Sequence, residues 1–100
     1  MLYLKLLELL NNRKFREIEK VCESNKKIID KDENLLTIYG TALVNQNKYE
    51  LSIEPFRKAY SISTKIRNIE NLAYALLKTK NFEEASDLYM KLSTFWKKRT

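Results

Sequence analysis

Apolar and small residues recur along this chain at helical spacing, not in alternation. Leu36, Tyr39, Gly40 and Leu43 fall three and four residues apart, the polar run Asn45-Gln46-Asn47 interrupts them, and Tyr49, Ser52, Phe56 and Ala59 resume the period. This predicts two short antiparallel helices joined by a polar turn over about 33–66. The same spelling occurs on both sides. An aromatic, then a small or aliphatic residue three positions on, then a core residue seven positions on, appear as Phe15/Ile18/Cys22, Tyr49/Ser52/Phe56 and Phe82/Ala85/Tyr89, in steps of 34 and 33 residues.

First helices keep the same ruler: Leu2, Leu6 and Leu9, then Leu36, Gly40 and Leu43, then Ile69, Ala73 and Leu76. A polar turn precedes each aromatic, at 11–14, 45–48 and 79–81, and Ile28, Ile62 and Phe95 match at the ends of the second helices. The expected second helices run over about 14–29, 48–64 with a kink near 51–55 caused by Pro55, and 82–97. Asp30-Lys31-Asp32 reads as an inter-repeat turn with an N-cap, and Asn81 as the N-cap of the last helix. Gly40 costs its helix about 1 kcal/mol relative to Ala. Such a cost points to a packing role, in which the ring of a facing residue such as Phe56 approaches bare backbone.

These residues and their period resemble the tetratricopeptide repeat, a 34-residue helix–turn–helix unit. The resemblance implies an all-α fold, a right-handed superhelical array of three antiparallel repeats forming a single domain over 1–100, with repeats at about 1–32, 33–66 and 67–99. It also implies that first helices line a concave face that holds a peptide or protein segment. The ligand-facing positions of that family fall here on Tyr3, Leu7, Leu10 and Asn11; on Asn34, Thr37, Thr41, Val44 and Asn45; and on Arg67, Glu70, Asn71, Tyr74, Leu77 and Lys78. The related subgroup that clamps a C-terminal carboxylate with Lys, Arg and Asn has Tyr3, Leu7, Thr37, Ile38 and Thr41 at the clamp positions in this chain, so that clamp is not expected. Leu6 and Asn25 depart from the pattern.

Composition narrows the picture further. The 100 residues hold one Gly and one Pro, with 44% hydrophobic and 32% charged residues, which suits helices joined by short turns. With no His and one Cys, neither a histidine acid–base pair, a common zinc site nor an internal disulfide can be built. Cys22 sits on an apolar stripe, the acidic residues are scattered among lysines, and no Gly-rich loop is present to cradle phosphate. No catalytic residue, cofactor or metal is expected, and the reading is a non-enzymatic interaction module.

The apolar start, residues 2–10, is interrupted by Lys5 and Glu8 and followed by Asn11-Asn12, so it reads as a first helix and not as a targeting segment; no stretch is long enough to span a bilayer, and a cytoplasmic location is expected. Its second apolar side, with Phe95 and Trp96 at the other end, raises self-association, or coverage by further sequence, as the alternative. The net charge of +6 leans toward Lys97-Lys98-Arg99. A helical array of that sign raises RNA binding too, but a basic cluster at one end reads first as a solvated tail.

Overall fold

The computed structural model describes residues 1–99, with side chains placed through Phe95. It contains seven helices and no strand among the described residues: α1 (Leu2–Asn11), α2 (Phe15–Ser24), α3 (Lys26–Ile29), α4 (Glu33–Val44), α5 (Tyr49–Ile62), α6 (Ile66–Lys78) and α7 (Phe82–Arg99). Helices α1 and α2, α4 and α5, and α6 and α7 form three packed pairs. Between pairs, α4 lies on α1 and α2, and α6 lies on α5.

The three turns that close the pairs share one geometry. Arg13, Asn47 and Lys80, one repeat step apart, all have positive φ, at 55°, 63° and 66°. The next residue's N–H donates to the carbonyl five positions back in each case, Lys14 to Leu9 at 2.8 Å, Lys48 to Leu43 at 2.9 Å and Asn81 to Leu76 at 2.8 Å. The left-handed residue itself donates three positions back, to Leu10, Val44 and Leu77. This is the Schellman arrangement, which satisfies the last carbonyls of a helix and reverses the chain. Asn tolerates the conformation through its short polar side chain, whereas Arg13 and Lys80 bear a cost of about 1 kcal/mol each.

Two buried clusters form the core, and α5 belongs to both. Leu6, Ile18, Cys22, Ile29, Leu35, Leu36, Ile38 and Ala42 gather with Ala59 of α5. Ile69, Leu72, Ala73, Ala75, Leu76, Ala85, Leu88 and Leu92 gather with Phe56 of α5. The ring of Phe56 lies directly on Gly40: a Cβ there would stand 2.6 Å from Cδ1 and 2.7 Å from Cζ. The register explains why Leu6 is tolerated where the second pair needs glycine. Facing partners compensate in volume, with Leu6 and Cys22 in the first pair and Gly40 and Phe56 in the second; in the third pair the same positions hold Ala73 and Tyr89.

Several expectations are corrected. The first pair's second helix is not continuous over 14–29: Asn25, at φ −124° and ψ 33°, leaves the helix and its side-chain amide donates to the Val21 carbonyl at 2.8 Å. Past that break Ile29 is buried and Ile28 exposed. Ile62 and Phe95, its register mates, are exposed as well. Helix α5 passes through Pro55 as one helix, as expected, and ends at Ile62, short of residue 64. Helix α6 begins at Ile66. Asp32 caps α4 as expected, its Oδ1 accepting from the N–H groups of Asn34 at 2.8 Å and Leu35 at 3.2 Å. The Asn81 side-chain amide instead turns back to donate to the Thr79 hydroxyl at 2.7 Å.

The Gly40 contact sets a sign that propensity alone would get wrong. Alanine should favour an exposed helix by about 1 kcal/mol, but overpacking a buried ring costs about 1–3 kcal/mol. Gly40→Ala is therefore expected to lower the thermal midpoint, and adding Phe56→Leu to recover part of the loss; calorimetry on the two variants checks this, and a midpoint raised by Gly40→Ala would contradict the contact.

Candidate functional site

The fifteen residues expected to face a ligand all remain at the surface of α1, α4 and α6, and none enters the core. They are not equally free. Leu7 and Leu10 are half-buried because α4 packs on α1, and Val44 is half-buried against the cluster of the third pair. Tyr3, Asn11, Asn34, Asn45, Arg67, Glu70, Tyr74, Leu77 and Lys78 are exposed, while Thr37, Thr41 and Asn71 are half-exposed.

The structure brings some of them together at two places. Near the C-terminal ends of the helices, the Tyr74 ring stands edge-on to Tyr49, centroids 6.2 Å apart at 69°. The Lys78 ammonium lies 5.7 Å and 5.5 Å from the centroids of the same two rings. Cation–π attraction of this kind contributes about 0.5–1 kcal/mol at an exposed site and holds a positive charge beside two aromatic faces. At the opposite ends, Arg67 Nη2 donates to Asn34 Oδ1 at 3.2 Å and lies 3.5 Å from Glu33. Between these clusters, the Thr37 hydroxyl donates to the Glu33 carbonyl and the Asn45 amide to the Thr41 carbonyl, both at 2.8 Å.

Of the self-association candidates, Phe95 is exposed and lines a cleft of about 330 Å³ with Tyr60, Thr64, Ile69, Lys91 and Thr94. Lys91 donates to the Tyr60 hydroxyl there at 2.8 Å. The Trp96 side chain lies outside the described residues. Phe82 is not the covered ring that its register implies: Phe15 and Tyr49 are half-buried by the pair that follows each, whereas Phe82, on the last pair, is 60% exposed.

Sequence reasoning missed the polar groups that seat one pair on the next. At the first junction Glu19 accepts from Lys48 at 2.9 Å and from the Gln46 amide at 3.0 Å. At the second, Glu33 accepts from the Asn68 amide at 2.7 Å and pairs with Lys65 at 3.0 Å. Each carboxylate is held by one amide and one lysine, and Glu33 by Arg67 as well. The Lys48 hydrogen bond, despite some desolvation, keeps Glu19 below its ordinary pKa, and the Asn68 hydrogen bond, then Lys65, does the same for Glu33. Asn68 is fully buried, its amide also donating to the carbonyls of Ser63 at 2.9 Å and Ala59 at 3.3 Å, while its own Oδ1 has no partner. A signal was present: Asn68 occupies the register of Leu35, and a polar residue at a core position demands a bond.

Burial, with help from Glu23, pushes the Cys22 thiol up to about 12, so it stays protonated and unreactive at neutral pH. Among the described residues no three His, Cys, Asp or Glu side chains group as metal ligands, and no helix is long and apolar enough to cross a membrane. The chain matches no family model and no curated protein.

Two outcomes follow from the junctions. Asn68→Asp replaces the donor by a carboxylate facing Glu33 and two carbonyls and is expected to cost about 3–5 kcal/mol; Asn68→Leu, which copies Leu35, should cost clearly less, and equal losses in a denaturant titration would contradict the donor role. Because Glu19, Glu33, Glu54 and Glu84 all have lowered folded pKa values against an ordinary 4.5, the stability they supply is present above that value and lost as pH falls through the folded ones. The thermal midpoint should hold near neutrality and decline below pH 4.5; a midpoint rising on acidification would contradict these pairs.

Proposed function

We propose that this chain is a non-enzymatic protein-interaction module of tetratricopeptide type, three repeats in a right-handed superhelical array that take a peptide or protein segment on the face of α1, α4 and α6. It acts as an adaptor, scaffold or chaperone-like part in the cytoplasm. The observation that carries the reading is the Tyr49–Tyr74–Lys78 cluster beside exposed Leu77. Aromatic faces with an adjacent cation supply an amphipathic anchor of the kind that dominates binding energy at polypeptide interfaces. The row of amides at Asn11, Asn34, Asn45 and Asn71 offers donors and acceptors for a partner backbone. An inert Cys22 thiol and, among the described residues, carboxylates held in ion pairs such as Glu19–Lys48 support a binding role over a catalytic one.

The test is capture of partners from lysate, identified by mass spectrometry. Tyr74→Ala combined with Thr41→Arg should abolish capture while leaving helicity by circular dichroism unchanged, since loss of a central aromatic alone removes about 2 kcal/mol of binding. Capture that survives the double substitution would place the ligand elsewhere.

A further inference from the structure

Charge is distributed unevenly once the pairs have folded. The three stretches that close them, 11–14, 45–48 and 78–81, hold five bases, six amides and one Thr, and no acid. The other 88 residues carry fourteen bases and thirteen acids, so these stretches supply +5 of the net +6. Stacking sets them in one row. The Gln46 amide of the second reaches the Phe15 carbonyl beside the first at 3.5 Å, Lys48 bonds Glu19 of α2 at 2.9 Å, and the Lys78 ammonium of the third lies 5.7 Å from the Tyr49 ring that follows the second. Lys14 and Lys48 are engaged by Glu17 at 3.9 Å and Glu19 at 2.9 Å, whereas Arg13, Lys78 and Lys80 are exposed and meet no carboxylate among the described residues.

We propose that this row of turns is the docking edge for an acidic polypeptide segment, whose carboxylates pair with Arg13, Lys78 and Lys80 and whose backbone bonds to the turn amides. Charge complementarity sets the sign of the partner, and the rings set its class. Single-stranded nucleic acid needs open rings on which bases stack, and here the row's own cations lie over them, Arg13 at 5.2 Å from the Phe15 centroid and Lys78 at 5.5 Å from that of Tyr74. Charge and amide hydrogen bonding remain, which is the chemistry of carboxylates and peptide groups. The positions of the carboxylate clamp on the first helices carry no base, so the row is a separate place. Lys78 belongs both to the row and to the ring cluster on the face of α1, α4 and α6, which makes the row the continuation of that face around its edge. The proposal rests on the reading of the chain as a polypeptide-binding module and adds the charge of the polypeptide.

Fluorescence anisotropy of labelled oligoglutamate with the full chain at physiological ionic strength tests it, beside oligouridylate of equal charge. Arg13→Gln, Lys78→Gln and Lys80→Gln together should weaken oligoglutamate binding at least about tenfold. Lys20→Gln, Lys27→Gln and Lys31→Gln remove the same charge from exposed positions outside the row and should change it less than about twofold, since salt screens distant charges. Both triple variants should keep native helicity. Glu50→Gln with Glu83→Gln, which removes exposed acids at the start of α5 and α7, should tighten binding. Equal losses from the two triple variants, oligouridylate bound more tightly than oligoglutamate, or no oligoglutamate binding at all would each overturn the proposal. The face is judged separately: if oligoglutamate fails to bind while Tyr74→Ala with Thr41→Arg still abolishes capture from lysate, the row is wrong and the face stands.

Discussion

Two helices of ten to fourteen residues cannot bury both of their apolar sides against each other. Isolated helices of that length are marginal in water, and a single pair leaves a greasy face uncovered. The chain meets this constraint by adding pairs side by side, and α5 shows the dependence most clearly, since it supplies Ala59 to one buried cluster and Phe56 to the other. Phe56 can serve the second cluster only because Gly40 lets its ring reach the backbone of α4. Across the pairs large residues stand against small in either order, so volume is conserved while the sequence varies.

Hydrophobic stacking is tolerant of sliding, and the polar junctions are not. Glu19 with Gln46 and Lys48, and Glu33 with Asn68 and Lys65, each tie one pair to the next through a half-buried carboxylate whose bonds have definite direction. Such groups contribute little as bare ion pairs. Their weight comes from the cost of leaving them unpaired once buried, which penalises any slip of the stack. More exposed links, Lys58 to Asp30 at 3.2 Å and the paired bonds of Arg57 to Glu84, run along the outer helices and add alignment more than stability. Helices α1, α4 and α6 are thus held in register from behind.

Period and turn chemistry were legible in the chain because both are local. The 34- and 33-residue steps locate all three turns, and the positive φ values at Arg13, Asn47 and Lys80 fall on that ruler. The approach of Phe56 to Gly40 could be read too, because an interior glycine in a helix asks for a reason. What escaped depended on neighbours distant in sequence. Whether Phe82 is covered depends on a following pair, not on its own helix. The break at Asn25 arises where a side-chain amide competes for the Val21 carbonyl, a choice that periodicity does not report. Of the candidate face, nine of the fifteen positions are exposed, but the gathering of Tyr74 and Lys78 on Tyr49 was not legible, since it joins residues of two different pairs.

The middle pair closes through contact between the Phe56 ring of α5 and the bare backbone of α4 at Gly40, and that ring also joins the buried cluster of the next pair. The most direct measurement is a nuclear Overhauser experiment on the folded chain. A strong cross-peak is expected between the Gly40 α-protons and the Phe56 ring, with at least one α-proton displaced upfield by the ring current, together with a cross-peak between the rings of Tyr49 and Tyr74. A Gly40 signal at its random-coil position, with no contact to Phe56, would contradict it.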